Sequence, residues 1–308
     1  MKITVMGPGG VGGYFGARLA AAGNDVTFVA RGAHLDAMRR KGLRLDSDIG
    51  ALHLDPVKVV ADAREIAAAD AILFAVKLGD TEKAAESLEG LVGKGAAVFT
   101  FQNGVESAER IGRIVGEGAV VPGVARIASH IVEPGVIRQA GNFARLDFAE
   151  RDGKPSQRTA AFLEACKKAG IDANLSPDIG RELWIKFAML APHAAMTALT
   201  RGPIGPVRSN PKSRALLQQL VEETVAVGAA LKAGVGPADV PRLMQGYDNM
   251  PKTFLASMAH DILAGKPLEV DHLSGVVVRL GEKAGVPTPA HRFITQALAP
   301  FAAGKPVV

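Results

Sequence analysis

Cysteine is almost absent from this 308-residue chain, which has one, Cys166. A lone thiol excludes an internal disulfide and a cysteine-built metal cluster, so a reducing cytoplasm is the expected compartment and no metal site is expected. Cys166 itself reads as a helix residue facing the core. Aromatic residues are scarce too, with one Trp, two Tyr and twelve Phe. They rarely interleave with the basic residues, and those are dispersed along the chain in spite of a net charge of +5. The densest basic cluster, Arg39-Arg40-Lys41, fits a solvated helix face, so no nucleic-acid partner is expected. No apolar run reaches the about 20 residues that span a bilayer, and the N-terminus reads as a strand from Lys2 rather than a charged leader. Neither a membrane nor an export route is expected.

What the chain does have is a dense N-terminal pattern. An apolar run, Ile3 to Met6, meets Gly7-Pro8-Gly9-Gly10-Val11-Gly12; a helical stretch follows to Gly23, then a second apolar run, Val26 to Ala30, closed by Arg31. Strand, glycine turn, helix and strand in that order form the context in which GxGxxG reads as a dinucleotide-binding turn. Gly7 suits the tight turn, Gly9 lets backbone approach a pyrophosphate, and Gly12 lets the helix lie close on the strand; Gly10 is expected to bind the cofactor as part of the same turn. The N–H groups and positive dipole end of that helix favour phosphate. Where an acid would bind the ribose 2′-hydroxyl of NAD, this chain has Arg31 with Gly32 beside it. A guanidinium there accepts a 2′-phosphate through charge-assisted hydrogen bonds, so the expected cofactor is NADPH/NADP+.

A length of 308 residues is above the usual limit of a single core, so two domains are expected. After Arg31, the alternation of Leu43, Leu45, Ile49, Leu52 and Leu54 suggests short strands. Ala71 to Val76 and Val98 to Phe101 read as buried parallel strands ending at Lys77 and at Gln102-Asn103-Gly104. Those ends matter, because ligands of open α/β sheets bind outside the carboxyl ends of the strands. Val120 to Glu150, turning at Pro134-Gly135, reads as antiparallel additions, followed by a helix over Ser156 to Ala169 and a strand near Ile171 to Leu175. From Asp178 onward only helices are expected: through Leu199, from Asn210-Pro211 through Lys232, from Val270 to Ala284, and from Pro289 to Phe301. The expected fold is α/β, a Rossmann-type dinucleotide-binding domain over residues 1–177 followed by an all-helical substrate and dimerisation domain over 178–308. Exposed apolar faces of those helices would suit a homodimer.

In the first helix of the second part, Trp184-Ile185-Lys186 sets a lysine among Leu183, Phe187, Leu190 and Ala194. Such a lysine either snorkels to solvent or serves as an ammonium that protonates a carbonyl oxygen as hydride arrives at its carbon. Ser257 reads alone as a helix cap, Asn103 as a turn residue beside Gly104, and Glu269 as the acidic first turn of a helix.

Together these elements resemble the ketopantoate reductase family, the NADPH-dependent 2-dehydropantoate 2-reductases. The resemblance covers essentially the whole chain: the glycine turn, Arg31, Lys77, Gln102-Asn103-Gly104, Trp184-Ile185-Lys186, and Ser257-Met258 through Asp261 to Glu269-Val270-Asp271 with Gly275. It implies Lys186 as general acid and Asn103 in contact with cofactor and substrate. It also implies Ser257 on the substrate, Glu269 near the cofactor and Lys77 near its phosphate and ribose groups. One departure stands out. The family carries asparagines four and eight residues beyond its lysine, where this chain has Leu190 and Ala194, and a third falls at Ile204. Residues 186, 190 and 194 share a helical stripe, so a polar wall has become apolar. His193 either supplies a compensating donor or is a satisfied core histidine, with Pro192 expected to bend the helix beside it.

The expected activity is therefore hydride transfer from NADPH to the keto carbon of a small 2-oxo acid, ketopantoate first. A different branched or bulkier 2-oxo acid is the second expectation, and an NADPH-sensing protein without turnover the third.

Overall fold

The structure, a computed structural model, describes residues 1–306, and its internal contacts divide the chain into two compact units, Met1–Ile179 and the part from Gly180 onward.

The first unit begins with β1 (Lys2–Met6), α1 (Gly10–Ala21), β2 (Asp25–Val29), α2 (Gly32–Lys41), β3 (Leu43–Ser47), β4 (Leu52–Leu54) and β5 (Val59–Val60). It continues through β6 (Ala71–Phe74), α3 (Thr81–Glu86), α4 (Glu89–Val92), β7 (Ala97–Thr100), α5 (Ser107–Val115), β8 (Val120–Glu133), β9 (Val136–Phe148), α6 (Gln157–Lys168) and β10 (Asp172–Leu175). The strands form one sheet in the order β4-β3-β9-β8-β7-β6-β1-β2-β5, with β10 on β9. Strands β5, β2, β1, β6, β7 and the first part of β8 run parallel. The chain leaves β1 toward β2 and later returns to pair β6 on the other side of β1, so the strand order reverses between β1 and β6, where open α/β sheets bind their ligands.

Residues 71–74 and 97–100 are buried throughout, as central parallel strands covered on both faces must be. One such face carries Phe99, Phe101, Phe148 and Phe162, with Phe99 and Phe162 stacked at 4.2 Å. Phe162 comes from α6, which the Ser156–Thr159 capping box starts. Cys166 on the same helix is fully buried, and burial pushes its thiol up to about 12, leaving it inert at neutral pH.

The β8–β9 hairpin turns at Pro134-Gly135 and its strands pair antiparallel over most of their length, with two register shifts. It is more than an antiparallel addition: β9 also pairs in parallel with β3 and with β10, which joins the outer strands to the parallel core.

The second unit is helical among its described residues: α7 (Ile179–Thr200), α8 (Ile204–Ser209), α9 (Pro211–Ala230), α10 (Val240–Asn249), α11 (Ser257–Leu263), α12 (Ser274–Ala284) and α13 (Pro289–Leu298). Asn210 caps α9 through the Lys212 and Ser213 N–H groups, with Pro211 in the first helical position, which needs no donor. Helix α9 meets α7 at Gly228, where a Cβ would lie 2.7 Å from the Trp184 ring. The buried Glu223 carboxylate accepts the Ala290 and His291 N–H groups, tying the start of α13 to α9. The expected helix from Val270 is interrupted: a 3-10 turn covers Val270–His272, and α12 starts only at Ser274 because Leu273 leaves helical geometry (φ −112°, ψ −87°). No helix is long and apolar enough to cross a membrane among the described residues.

Candidate active site

The glycine turn sits at the carboxyl end of β1, beside the strand-order reversal. Gly7 has φ +87°, and a Cβ there would lie 2.8–2.9 Å from Val76 in the segment after β6. Only glycine permits both that backbone conformation and that approach. At Gly12 a Cβ would run into the Gly7 carbonyl oxygen and crowd Val5, and at Gly10 it would run into the Ser129 carbonyl of β8. These two glycines serve the closeness of α1 to its neighbours. Gly9 differs, because nothing lies within 4 Å of a Cβ built there. The protein gives no packing reason for its lack of a side chain, and the open space lies at the N-cap of α1. That helix has no acidic residue in its first turn and no side-chain cap. Its leading N–H groups therefore have no side-chain acceptor, and an anion at this end meets donors and the positive end of the dipole. This arrangement fits a dinucleotide pyrophosphate.

His34 holds the turn from below. The Gly135 N–H donates to its Nδ1 at 3.0 Å, so the ring proton is on Nε2, which donates to the Pro8 carbonyl at 2.9 Å. Burial holds this imidazole below its ordinary pKa, which keeps it neutral in this bridging role. Nothing in the linear pattern marked His34, because both of its partners are backbone groups distant in sequence.

Arg31 lies between β2 and α2 and directs both terminal guanidinium nitrogens to Asp80: Nη1 donates to Oδ1 at 3.1 Å, and Nη2 donates to Oδ2. Asp80 ends a 3-10 turn over Leu78–Asp80 that begins after the exposed Lys77. Half-buried Asn103 follows β7, next to Gly104 at φ +89°. Gly7, Gly9, Arg31, Lys77 and Asn103 thus all follow the carboxyl ends of parallel strands.

In the second unit, Lys186 is half-buried on α7 between the buried Trp184 and Phe187, whose rings meet edge to face at 5.8 Å. Leu190 is half-buried, while Ala194 and Ile204 are fully buried. The helix continues through Pro192, and the reason lies in Tyr247. Proline has no N–H for the Ala188 carbonyl, and its ring disturbs the preceding turn. The fully buried Tyr247 hydroxyl donates to the Met189 carbonyl at 2.6 Å, stands 3.4 Å from that of Ala188, and has the His193 N–H as a further partner. Residues 189 and 193 are four apart, so the phenol is inserted into an opened rung of the helical ladder.

His193 is buried, stacked on Phe254 at 5.3 Å, and held down to about 4 mainly by desolvation. It is neutral at physiological pH, and its Nε2 has no hydrogen-bond partner. Phe254 leads into α11, where exposed Ser257 is the first helical residue; the N-cap position belongs to Ala256, so Ser257 is not the cap. Glu269 is half-buried and precedes the 3-10 turn without capping it through its side chain.

A Rossmann-type unit with an open, anion-ready glycine turn, followed by a helical unit, defines a dinucleotide-binding protein of two parts. Comparison with known proteins makes this specific. The family model for ketopantoate reductase PanE/ApbA matches residues 3–153, and that for its C-terminal part matches residues 178–302. The chain belongs to the ketopantoate reductase family, whose members are nicotinamide dinucleotide-dependent oxidoreductases. It is 32% identical over 310 residues to the 2-dehydropantoate 2-reductase of Mesorhizobium japonicum, covering 94% of each chain. A crystal structure of a PanE/ApbA family ketopantoate reductase from Ralstonia eutropha JMP134 superposes with a TM-score of 0.89 at 31% identity, covering 98% of each chain. A ternary structure of D-mandelate dehydrogenase with NADH and anilino(oxo)acetate shares the fold, with a TM-score of 0.88 at 20% identity and 98% coverage of each chain.

Proposed function

We propose that this protein reduces a small 2-oxo acid at its keto carbon with NADPH, and that ketopantoate is that acid. The open space over Gly9 at the start of α1 carries this reading. A pyrophosphate at that place accounts for a glycine that the fold itself does not require. In this reading Gly7, Gly9, Gly10 and Gly12 form the phosphate turn, Arg31 binds the 2′-phosphate, and Lys77, Asn103 and Glu269 bind the rest of the cofactor. The bound reduced nicotinamide supplies the hydride.

The chain's own residues supply the proton and the orientation. As the keto carbon is reduced, its oxygen gains negative charge, and the Lys186 ammonium gives that oxygen a proton and stabilises the charge before transfer. Asn103 and Ser257 hydrogen-bond the substrate and fix its orientation. The family membership and the near-complete coverage by 2-dehydropantoate 2-reductases support ketopantoate as substrate.

A second reading has its own observation. Half-buried Leu190 and the fully buried Ala194 stand where the family resemblance implies asparagines, so a 2-oxo acid with a more apolar substituent suits Leu190, while Ala194, with no exposed surface, offers a substrate no polar partner. Each polar substrate group left without a partner costs about 1–3 kcal/mol, enough to reorder preferences among 2-oxo acids. Loss of NADPH absorbance against a panel of 2-oxo acids separates the two. Highest kcat/KM with ketopantoate supports the first reading, a bulkier acid in that place supports the second, and no consumption with any acid overturns both.

A further inference from the structure

We propose that Asp80 is a cofactor-discriminating residue. Its carboxylate holds the same guanidinium fork of Arg31 that a ribose 2′-phosphate would use, and so it narrows the preference of this chain for NADPH over NADH. The inference rests on the reading of Arg31 as the 2′-phosphate ligand.

Asp80 occupies the N-cap position of α3, where an aspartate ordinarily accepts the N–H of the second or third helical residue. It makes no such bond. Its carboxylate instead reaches Arg31, 49 positions away, and engages both terminal nitrogens in parallel. Parallel pairing of this kind is the geometry by which arginine also takes a phosphate, so the two anions compete for one fork.

Exposure decides how strong the competitor is. The side chain of Arg31 is 76% exposed and that of Asp80 31% exposed, so solvent screens the pair and a dianion can displace the carboxylate. Displacement still carries two costs that a free arginine would not impose: the existing pair must part, and a negative carboxylate remains near the incoming phosphate. A ribose with a plain 2′-hydroxyl meets neither cost, because the hydroxyl needs no cation and can donate to a carboxylate. The pair therefore lowers affinity for NADPH and leaves that for NADH nearly untouched.

The test is a fluorescence titration of the full-length, cofactor-free protein with NADPH and with NADH at low ionic strength, for wild type, Asp80→Asn and Arg31→Ala. Asp80→Asn keeps the shape and removes the charge. It should raise the ratio of the NADH Kd to the NADPH Kd about fivefold, through tighter NADPH binding, and the gain should shrink as salt is added. Asp80→Ser, which can cap α3, should shift the ratio in the same direction. An unchanged ratio, or one that moves toward NADH, overturns the proposal. Arg31→Ala keeps the two failures apart. Loss of NADPH affinity with NADH binding retained upholds the Arg31 reading whatever Asp80 does, whereas an unaltered NADPH Kd removes that reading and the proposal with it.

Discussion

Adding one methyl group at Gly9 should separate ligand binding from folding. Gly9 has φ −75° and ψ −156°, extended backbone outside the left-handed region that favours glycine, and nothing lies within 4 Å of the added carbon. Alanine is a poorer N-cap than glycine, but it also restricts the unfolded chain, an effect of about 0.4–1 kcal/mol in the stabilising direction. The two nearly cancel, so Gly9→Ala should change stability by no more than about 0.5 kcal/mol. A pyrophosphate lying over this position must instead move away from the methyl group. If that misfit costs about 1–3 kcal/mol, as overpacking does in cores, the Kd for NADPH rises about 5- to 150-fold. Gly12→Ala gives the opposite pattern. Its methyl group collides with the Gly7 carbonyl, and α1 must shift off β1, so the fold loses about 1–3 kcal/mol. Thermal unfolding and nicotinamide fluorescence titration on both variants make the comparison. The reasoning is refuted if Gly9→Ala binds NADPH like wild type, or if Gly12→Ala melts with it.

Tyr247→Phe removes the donor to the Met189 carbonyl and leaves an opened helical rung unsatisfied in a buried setting, at a cost of about 1–3 kcal/mol. Urea denaturation should show a lower midpoint at unchanged m-value, and a loss below about 0.5 kcal/mol would mean that the rung closes without the phenol. Acid should weaken the second unit through His193 and His291, each held down to about 4 chiefly by burial. The unfolded chain takes up these protons near pH 6.5 and the folded one does not, so their stabilising contribution is complete above 6.5 and falls as pH drops toward 4. The loss is about 3 kcal/mol for each histidine at the lower end. Urea midpoints between pH 7 and 4 check this, and a His291→Gln variant should show a shallower decline.

The sequence was most legible where local pattern and burial coincide. The apolar runs Ile3 to Met6, Ala71 to Val76 and Val98 to Phe101 read as strands, and the strands Lys2–Met6, Ala71–Phe74 and Ala97–Thr100 lie on them; the glycine turn between the first strand and its helix matched a dinucleotide-binding pattern. Helix α9 was readable from Asn210-Pro211, a cap followed by a residue that fits the first turn. Helices α8 and α11 span only 6 and 7 residues, too short for a periodic stripe to stand out. The break at Leu273 is a backbone geometry without a glycine or proline to mark it. Long-range side-chain pairing was invisible in the same way. Asp80 and His34 carried no local signal, because Arg31, Gly135 and Pro8 are distant from them in sequence, and Tyr247, whose hydroxyl serves the helix beside Pro192, lies 55 positions away from it. Lys186 stood out by its apolar setting but with two readings, and only the resemblance favoured the general acid, since lysines beside apolar stripes are common.

The most direct test of the account is Lys186→Ala, assayed both for NADPH binding and for single-turnover reduction of the best 2-oxo acid. A general acid lost without disturbance of the cofactor turn should leave the NADPH Kd within about twofold and slow the hydride step by about 10²–10⁴. A variant that reduces the acid at the wild-type rate would contradict the claim that this ammonium protonates the developing alkoxide.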